Sequence, residues 1–179
     1  MGQLLIRGGK HANRKIEFIE GLGVRPSGSR VRDILKNWLR PHIKGLRCLD
    51  LFSGSGILAF EAMSQGAESV LCVDSQLACC RMISQEASRI NEPNITTICK
   101  RFPYEIGTKF DLIFMDPPFD QLELMHTSLQ TVKDTLVPQG FLYIESGEKV
   151  NLISGFEQHK AKKVGQVWMY LWRRIENDE

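Results

Sequence analysis

Long apolar runs are missing from this 179-residue chain. No stretch approaches the roughly 18 apolar residues that a membrane-spanning helix requires, so no membrane partner is expected. A secretory leader is not expected either, because Leu4-Leu5-Ile6 is followed at once by Arg7. The chain reads as cytoplasmic. Cysteine is scarce and unpatterned: Cys48, Cys72, Cys79, Cys80 and Cys99 are odd in number and contain no C-x-x-C spacing. Histidine and cysteine do not cluster, which argues against a structural zinc, and no metal is expected. Three of the cysteines lie in strand-like apolar runs, so reduced, buried thiols are expected rather than bridges. Internal repeats and low-complexity segments are also lacking. What remains, 42% hydrophobic and 25% charged, is the composition of one globular domain.

The net charge of +2 conceals a segregation along the chain. Residues 1–47 hold eleven Lys/Arg against three Asp/Glu, residues 48–157 seven against fifteen, and residues 158–175 five against none. If the basic ends meet on one side of the fold, they form the electrostatic footprint of a phosphate backbone.

The N-terminal part reads as a β-hairpin, Gln3–Arg7 and Arg14–Ile19 around a Gly-rich turn. Val24-Arg25-Pro26-Ser27-Gly28 breaks the pattern. Ser29 is then expected to cap a helix running to about Leu39, with Val31, Ile34, Leu35 and Trp38 on its apolar face. Arg32, Lys36 and Arg40 recur every fourth residue and predict a basic stripe facing away from the core. From Leu46 onward strand, glycine turn and helix repeat. Strands are expected at 48–51, 69–73, 95–99, 111–115 and 141–145, with helices at 57–65, 77–90 and 123–136 and a turn at Pro138-Gln139-Gly140. This alternation predicts an α/β fold with a parallel sheet covered on both faces. Phe156–Lys163 and Gln166–Arg173, flanking Val164-Gly165, predict a final antiparallel pair.

Asp116-Pro117-Pro118-Phe119 ends one of these apolar strands. Two prolines fix φ and remove N–H donors, leaving a stiff turn whose carbonyls accept. The Asp116 carboxylate and the Pro117 carbonyl can receive both hydrogens of an exocyclic amine, and Phe119 offers a face for a ring to stack on. The chemistry suits a flipped-out nucleobase.

A second loop, Asp50-Leu51-Phe52-Ser53-Gly54-Ser55-Gly56, follows the first parallel strand, where open α/β sheets bind ligands. Gly54-Ser55-Gly56-Ile57-Leu58-Ala59 also fits the G-x-G-x-x-A dinucleotide pattern, with Asp74 twenty residues beyond Gly54. Against a nicotinamide enzyme stands Asp50, whose carboxylate would repel a pyrophosphate but attract a cationic methionyl amine. Asp74, closing the second strand, is placed for two ribose hydroxyls. Phe52, Ser53, Gly54, Ser55 and Gly56 supply the backbone between them. Each carboxylate alone could simply cap a turn or helix. Together with Asp116-Pro-Pro-Phe they look like the site of an S-adenosylmethionine-dependent methyltransferase.

The chain resembles the bacterial ribosomal small-subunit methyltransferase D family, which methylates the N2 amine of one guanine in 16S ribosomal RNA. The resemblance rests on Ile6-Arg7-Gly8-Gly9, Leu22-Gly23-Val24-Arg25-Pro26-Ser27, the stretch Arg30-Val31-Arg32-Asp33 through Leu39, and Leu49 through Gly56. Glu61 through Ala67, Asp116-Pro117-Pro118-Phe119, Tyr143-Ile144-Glu145-Ser146 and Gly165-Gln166-Val167 extend it. Ser27, Gln65 and Glu86 depart from the family's usual Thr, Arg and Asn. The third strand ends in Cys99-Lys100-Arg101, without the usual Asp or Asn for the adenine amine.

The resemblance implies a Rossmann-like class I methyltransferase: a mainly parallel seven-stranded sheet, residues 24–179, preceded by an RNA-contacting hairpin extension, residues 1–23. It implies S-adenosylmethionine as cofactor, catalysis by Asp116, Pro117 and Phe119, and a monomer acting on 16S rRNA in an assembled or assembling 30S subunit. Arg7, Arg14, Lys15, Arg25, Arg30 and Arg32 are the candidate RNA contacts. Two other readings stay open: DNA adenine-N6 methylation, since the same tetrapeptide serves any exocyclic amine, and a non-catalytic RNA-binding module on a methyltransferase fold.

Overall fold

The central strands are apolar on alternate residues of both sides, and this is why helices cover both faces of the sheet they form. In the computed structural model, residues 1–118 and 122–175 are described. The elements are β1 (Gly2–Leu5), β2 (Lys15–Phe18), α1 (Ser29–Leu39), β3 (Arg47–Asp50), α2 (Ile57–Ser64), β4 (Ser69–Asp74), α3 (Leu77–Arg89), β5 (Ile95–Cys99), β6 (Phe110–Met115), α4 (Leu122–Thr135), β7 (Leu136–Ser146), β8 (Phe156–Val164) and β9 (Val167–Arg174).

Seven strands form one sheet in the order β5-β4-β3-β6-β7-β9-β8. All neighbours run parallel except β9, which is antiparallel to both β7 and β8. This is the expected Rossmann-like sheet with its terminal hairpin. Cys48, Val70, Leu112, Phe114, Tyr143, Met169 and Leu171 pack on one face with α1, α2 and α3. Leu49, Ile113, Met115, Leu142, Ile144, Tyr170 and Trp172 pack on the other with Val132 of α4. Every residue of α2 is buried, so this helix has no polar stripe and lies wholly inside.

Three local expectations change. Ser29 is the first residue of α1 and not its cap; Gly28 holds that position without a side-chain hydrogen bond. The turn at Pro138-Gln139-Gly140 lies within β7, where the four residues between Leu136 and Phe141 face one residue of β6, with Gln139 at φ +61°. Gly140 is required there because a Cβ would lie 2.8 Å from Leu136 Cδ1. The basic stripe on α1 is also incorrect. Arg32 is 4% exposed, on the same side as Val31, Leu35 and Leu39. Its Nη1 donates to Glu61 Oε1 (2.6 Å) and the Leu5 carbonyl (2.7 Å), and its Nε to the Ser27 carbonyl (3.1 Å).

The β1–β2 hairpin forms its own two-stranded sheet, with Gly2 opposite Phe18 and Leu5 opposite Lys15. Backbone groups fasten it to the body. The Arg7 N–H donates to both Glu61 oxygens (2.9 and 3.0 Å), Glu17 N–H to Glu86 Oε2 (2.8 Å), and His11 N–H to Ser64 Oγ (2.9 Å). His11 and Lys10 both meet Glu92 Oε1 at 2.5 Å. All five cysteines are free thiols; Cys99 is exposed and the other four are buried.

Candidate active site

Parallel strands end with their carbonyl ends together, and here β3, β4 and β6 deliver Asp50, Asp74 and Asp116 to one cleft of about 810 Å³. Residues 22–27, which join the hairpin to α1, form another wall, and Phe102 and Pro117 contribute to the lining. Phe119 lies outside the described residues.

The turn between β3 and α2 needs glycine twice. Gly54 and Gly56 have φ of +49° and +74°. A Cβ on Gly56 would meet Ile83 Cγ1 at 2.7 Å, and one on Gly54 would approach Val24 Cγ1 at 3.2 Å. The Ser53 hydroxyl donates to the Asp50 carbonyl (2.9 Å), and Ser55 Oγ accepts from the Ile57 N–H (3.3 Å). Phe52 is half-buried, with its ring 6.1 Å from that of Phe102.

Asp74 combines two roles. Its Oδ2 accepts from the Gly54 N–H and its Oδ1 from the Gln76 N–H, both at 2.8 Å, so it ties the glycine turn to the start of α3. Each oxygen keeps a lone pair for a ligand hydroxyl. Asp50 is 2% exposed, and its Oδ1 has no hydrogen-bond partner. Burial, followed by the Asp74 charge, pushes its carboxyl up to about 8. A cation entering the cleft would supply the missing partner. Asp50 for an ammonium and Asp74 for vicinal hydroxyls therefore fit the charged amino-acid end and the ribose of S-adenosylmethionine.

Asp116 is raised well above the ordinary aspartate range, by burial first and then by Glu145 and Asp50, against Arg25, which lowers it. Glu145 is buried at the end of β7. Its Oε1 accepts from Ser27 Oγ (2.6 Å) and Tyr143 Oη (2.9 Å). Ser27 thereby anchors the cleft-wall segment to the sheet.

Sequence reasoning placed Glu145 among the residues that carry the resemblance but gave it no role in the site, and it missed the aromatic pair Phe102 and Tyr104, whose ring centroids lie 5.6 Å apart. Tyr104 Oη is buried without a partner, and its proton is held by burial and by the charges of Asp50 and Asp74. These rings follow the third parallel strand, where an acidic residue for the adenine amine is lacking. The Phe-Pro-Tyr triplet was the available signal.

The candidate RNA contacts divide. Arg14, Lys15 and Arg30 are exposed, and Arg25 lines the cleft. Arg7 is half-engaged by Asp33 in a two-pronged ion pair (3.1 and 2.9 Å). Arg32 is consumed by the internal bonds described above.

The family model described as Conserved hypothetical protein 95 matches residues 4–173. The chain is 30% identical to ribosomal RNA small subunit methyltransferase D of Escherichia coli strain K12 over 97% of this chain and 91% of that protein. It is 32% identical to the protein of that name from Haemophilus influenzae, over 86% and 83% of the two chains. The solved structure of yhhF from Escherichia coli superposes with a TM-score of 0.88 at 30% identity, covering 98% of this chain and all of that one. The chain thus belongs to the ribosomal RNA small-subunit methyltransferase D family.

Proposed function

We propose that this protein transfers a methyl group to the exocyclic N2 amine of a guanine in 16S ribosomal RNA, as a cytoplasmic monomer acting on an assembled or assembling 30S particle. Family membership carries the coarser part: the chain is an S-adenosylmethionine-dependent rRNA methyltransferase. The observation that supports the chemistry is the pairing, in one cleft, of a buried carboxylate lacking a partner, Asp50, with the Asp116-Pro117-Pro118 turn.

S-adenosylmethionine supplies an electrophilic methyl on a sulfonium; the rest is done by the chain. Asp50 would hold the ammonium and Asp74 the ribose hydroxyls, beside the Gly54 to Gly56 backbone. An exocyclic guanine amine is a weak nucleophile because its lone pair is delocalised into the ring. Asp116 and the Pro117 carbonyl accept its two hydrogens and turn that lone pair out of conjugation, with Phe119 stacking on the extruded base. The raised proton affinity of Asp116 suits it to take up the proton that methylation releases. Arg14, Lys15, Arg25 and Arg30, with the partly paired Arg7, contact the RNA backbone, and the hairpin extension of residues 1–23 presents Arg7, Arg14 and Lys15.

Labelled S-adenosylmethionine, incubated with 30S particles or naked 16S rRNA from cells lacking this modification, tests the proposal. Label in N2-methylguanosine is expected. Label in any other nucleoside would overturn it.

A further inference from the structure

The sheet carries basic side chains on its β8 edge, far along the chain from the N-terminal cations. Register places them relative to the site. Lys162 of β8 pairs with Met169 of β9, Met169 pairs with Glu145 of β7, and Met115 of β6 pairs with Ile144, which brings Asp116 level with Glu145. Lys162 and Asp116 therefore stand in one row, three strand spacings or about 14 Å apart, at the cleft end of the sheet. Lys162 shares the α1 face with Met169, and Lys160 shares it with Leu171.

Further down that face the edge becomes aromatic as well as basic. The His42 ring lies 4.7 Å from Phe141 and 5.8 Å from His159, and the Arg173 guanidinium stands 5.8 Å over Phe141. Burial first, then its neighbours His159, Arg173 and Lys160, hold His42 below its usual range. Among the described residues none of Lys160, Lys162 or Arg173 forms an ion pair. Glu157, opposite Arg173 in the register, is no exception. Glu157 is the counter-charge set across from Arg173, whereas Lys160 and Lys162 stand across from the apolar Leu171 and Met169, so the cations still repel one another and an anion laid across them lowers that cost.

We infer that the α1-facing side of the β8 edge, from Lys162 down to Arg173 and the His42–His159 pair, is a second phosphate-backbone surface that grips the RNA strand leading away from the target nucleotide. This rests on the rRNA reading proposed above. Lysines on an edge strand also discourage strand pairing between molecules, but that role is served by either face of the strand. The RNA surface is one-sided. Lys163, which faces the α4 side with its Nζ 5.4 Å from the Trp168 ring, is excluded from it.

The test is equilibrium binding of the full chain to naked 16S rRNA and to 30S particles across a salt series. Lys160→Gln with Lys162→Gln should flatten the slope of log affinity against log salt by about two, and the double Glu variant should weaken binding about tenfold or more near 0.1 M salt. Lys163→Glu should have a clearly smaller effect. Melting temperature and affinity for S-adenosylmethionine should match the parent in each variant. Equal weakening by Lys163→Glu would show a net-charge effect and overturn the inference. So would unchanged affinity for naked rRNA with weaker binding to particles alone, which would assign the edge to a ribosomal protein. Should the parent itself fail to bind either RNA, the rRNA reading fails first; a parent that binds while the double variants bind equally well refutes the edge alone.

Discussion

Asp50 is the residue whose environment most constrains what enters the cleft. In the free protein its carboxyl titrates near 8, so over the range from ordinary aspartate values to about 8 the folded chain holds a proton that the unfolded chain has lost. That contribution to stability is complete at low pH and disappears as pH rises through 8. Binding of a cation requires the ionised form, so the sign for the ligand is opposite. Affinity for S-adenosylmethionine should fall as pH drops below 8, with proton release at pH 7 visible by calorimetry in buffers of different ionisation enthalpy. Asp50→Asn should abolish both the proton release and most of the affinity. Asp116→Ala should leave cofactor affinity within a few fold and lose methyl transfer; near-normal turnover would remove Asp116 from the chemistry.

Among the elements, α1 and α2 are joined by one buried ion pair, onto which the hairpin is fastened by its backbone. Arg32 and Glu61 have side chains 3% and 6% exposed, and Glu61 also receives the Arg7 N–H. Removing one partner strands the other, so Arg32→Ala should destabilise the fold by about 3–5 kcal/mol in denaturant titrations. Faster hydrogen exchange in β1 and β2 should accompany it. Lysine would not rescue this position, because a single ammonium cannot reproduce the fork that reaches Glu61, Leu5 and Ser27. The β3–α2 turn has a comparable vulnerability: Gly56→Ala combines a positive φ with a 2.7 Å approach to Ile83, and a loss of about 1–3 kcal/mol is expected by thermal melting.

Over the whole molecule, charge follows location. The acidic middle of the chain builds the cleft and the sheet, while exposed cations sit on the hairpin, at the start of α1 and along β8. Binding to rRNA should therefore weaken steeply with salt, and Arg14→Gln with Lys15→Gln should lower the slope by about two phosphate contacts. Salt-independent binding would contradict the hairpin's assignment. Among the described residues, no helix is long and apolar enough to cross a membrane.

Most element boundaries were legible because they depend on local chemistry: β5 spans the expected residues, and the glycine turn and Asp-Pro-Pro follow strands as the periodicity required. The exceptions have non-local causes. Arg32 sits at a helical spacing that suggests exposure, but Glu61 and the Leu5 carbonyl, 29 and 27 residues away, draw it inward. The partners of Glu145 include Ser27, 118 residues earlier, and no short-range pattern announces that pair.

By itself the sequence determined the alternation of strands and helices, the glycines of the β3–α2 turn and the identity of the three aspartates, because φ preferences, periodicity and side-chain chemistry act within a few residues of chain. Only tertiary structure decided which charges are usable. Burial left Asp50 Oδ1 without a partner, withdrew Arg32 from the surface and set Lys162 in the row of Asp116, since solvation and strand register depend on neighbours that the chain brings from far away.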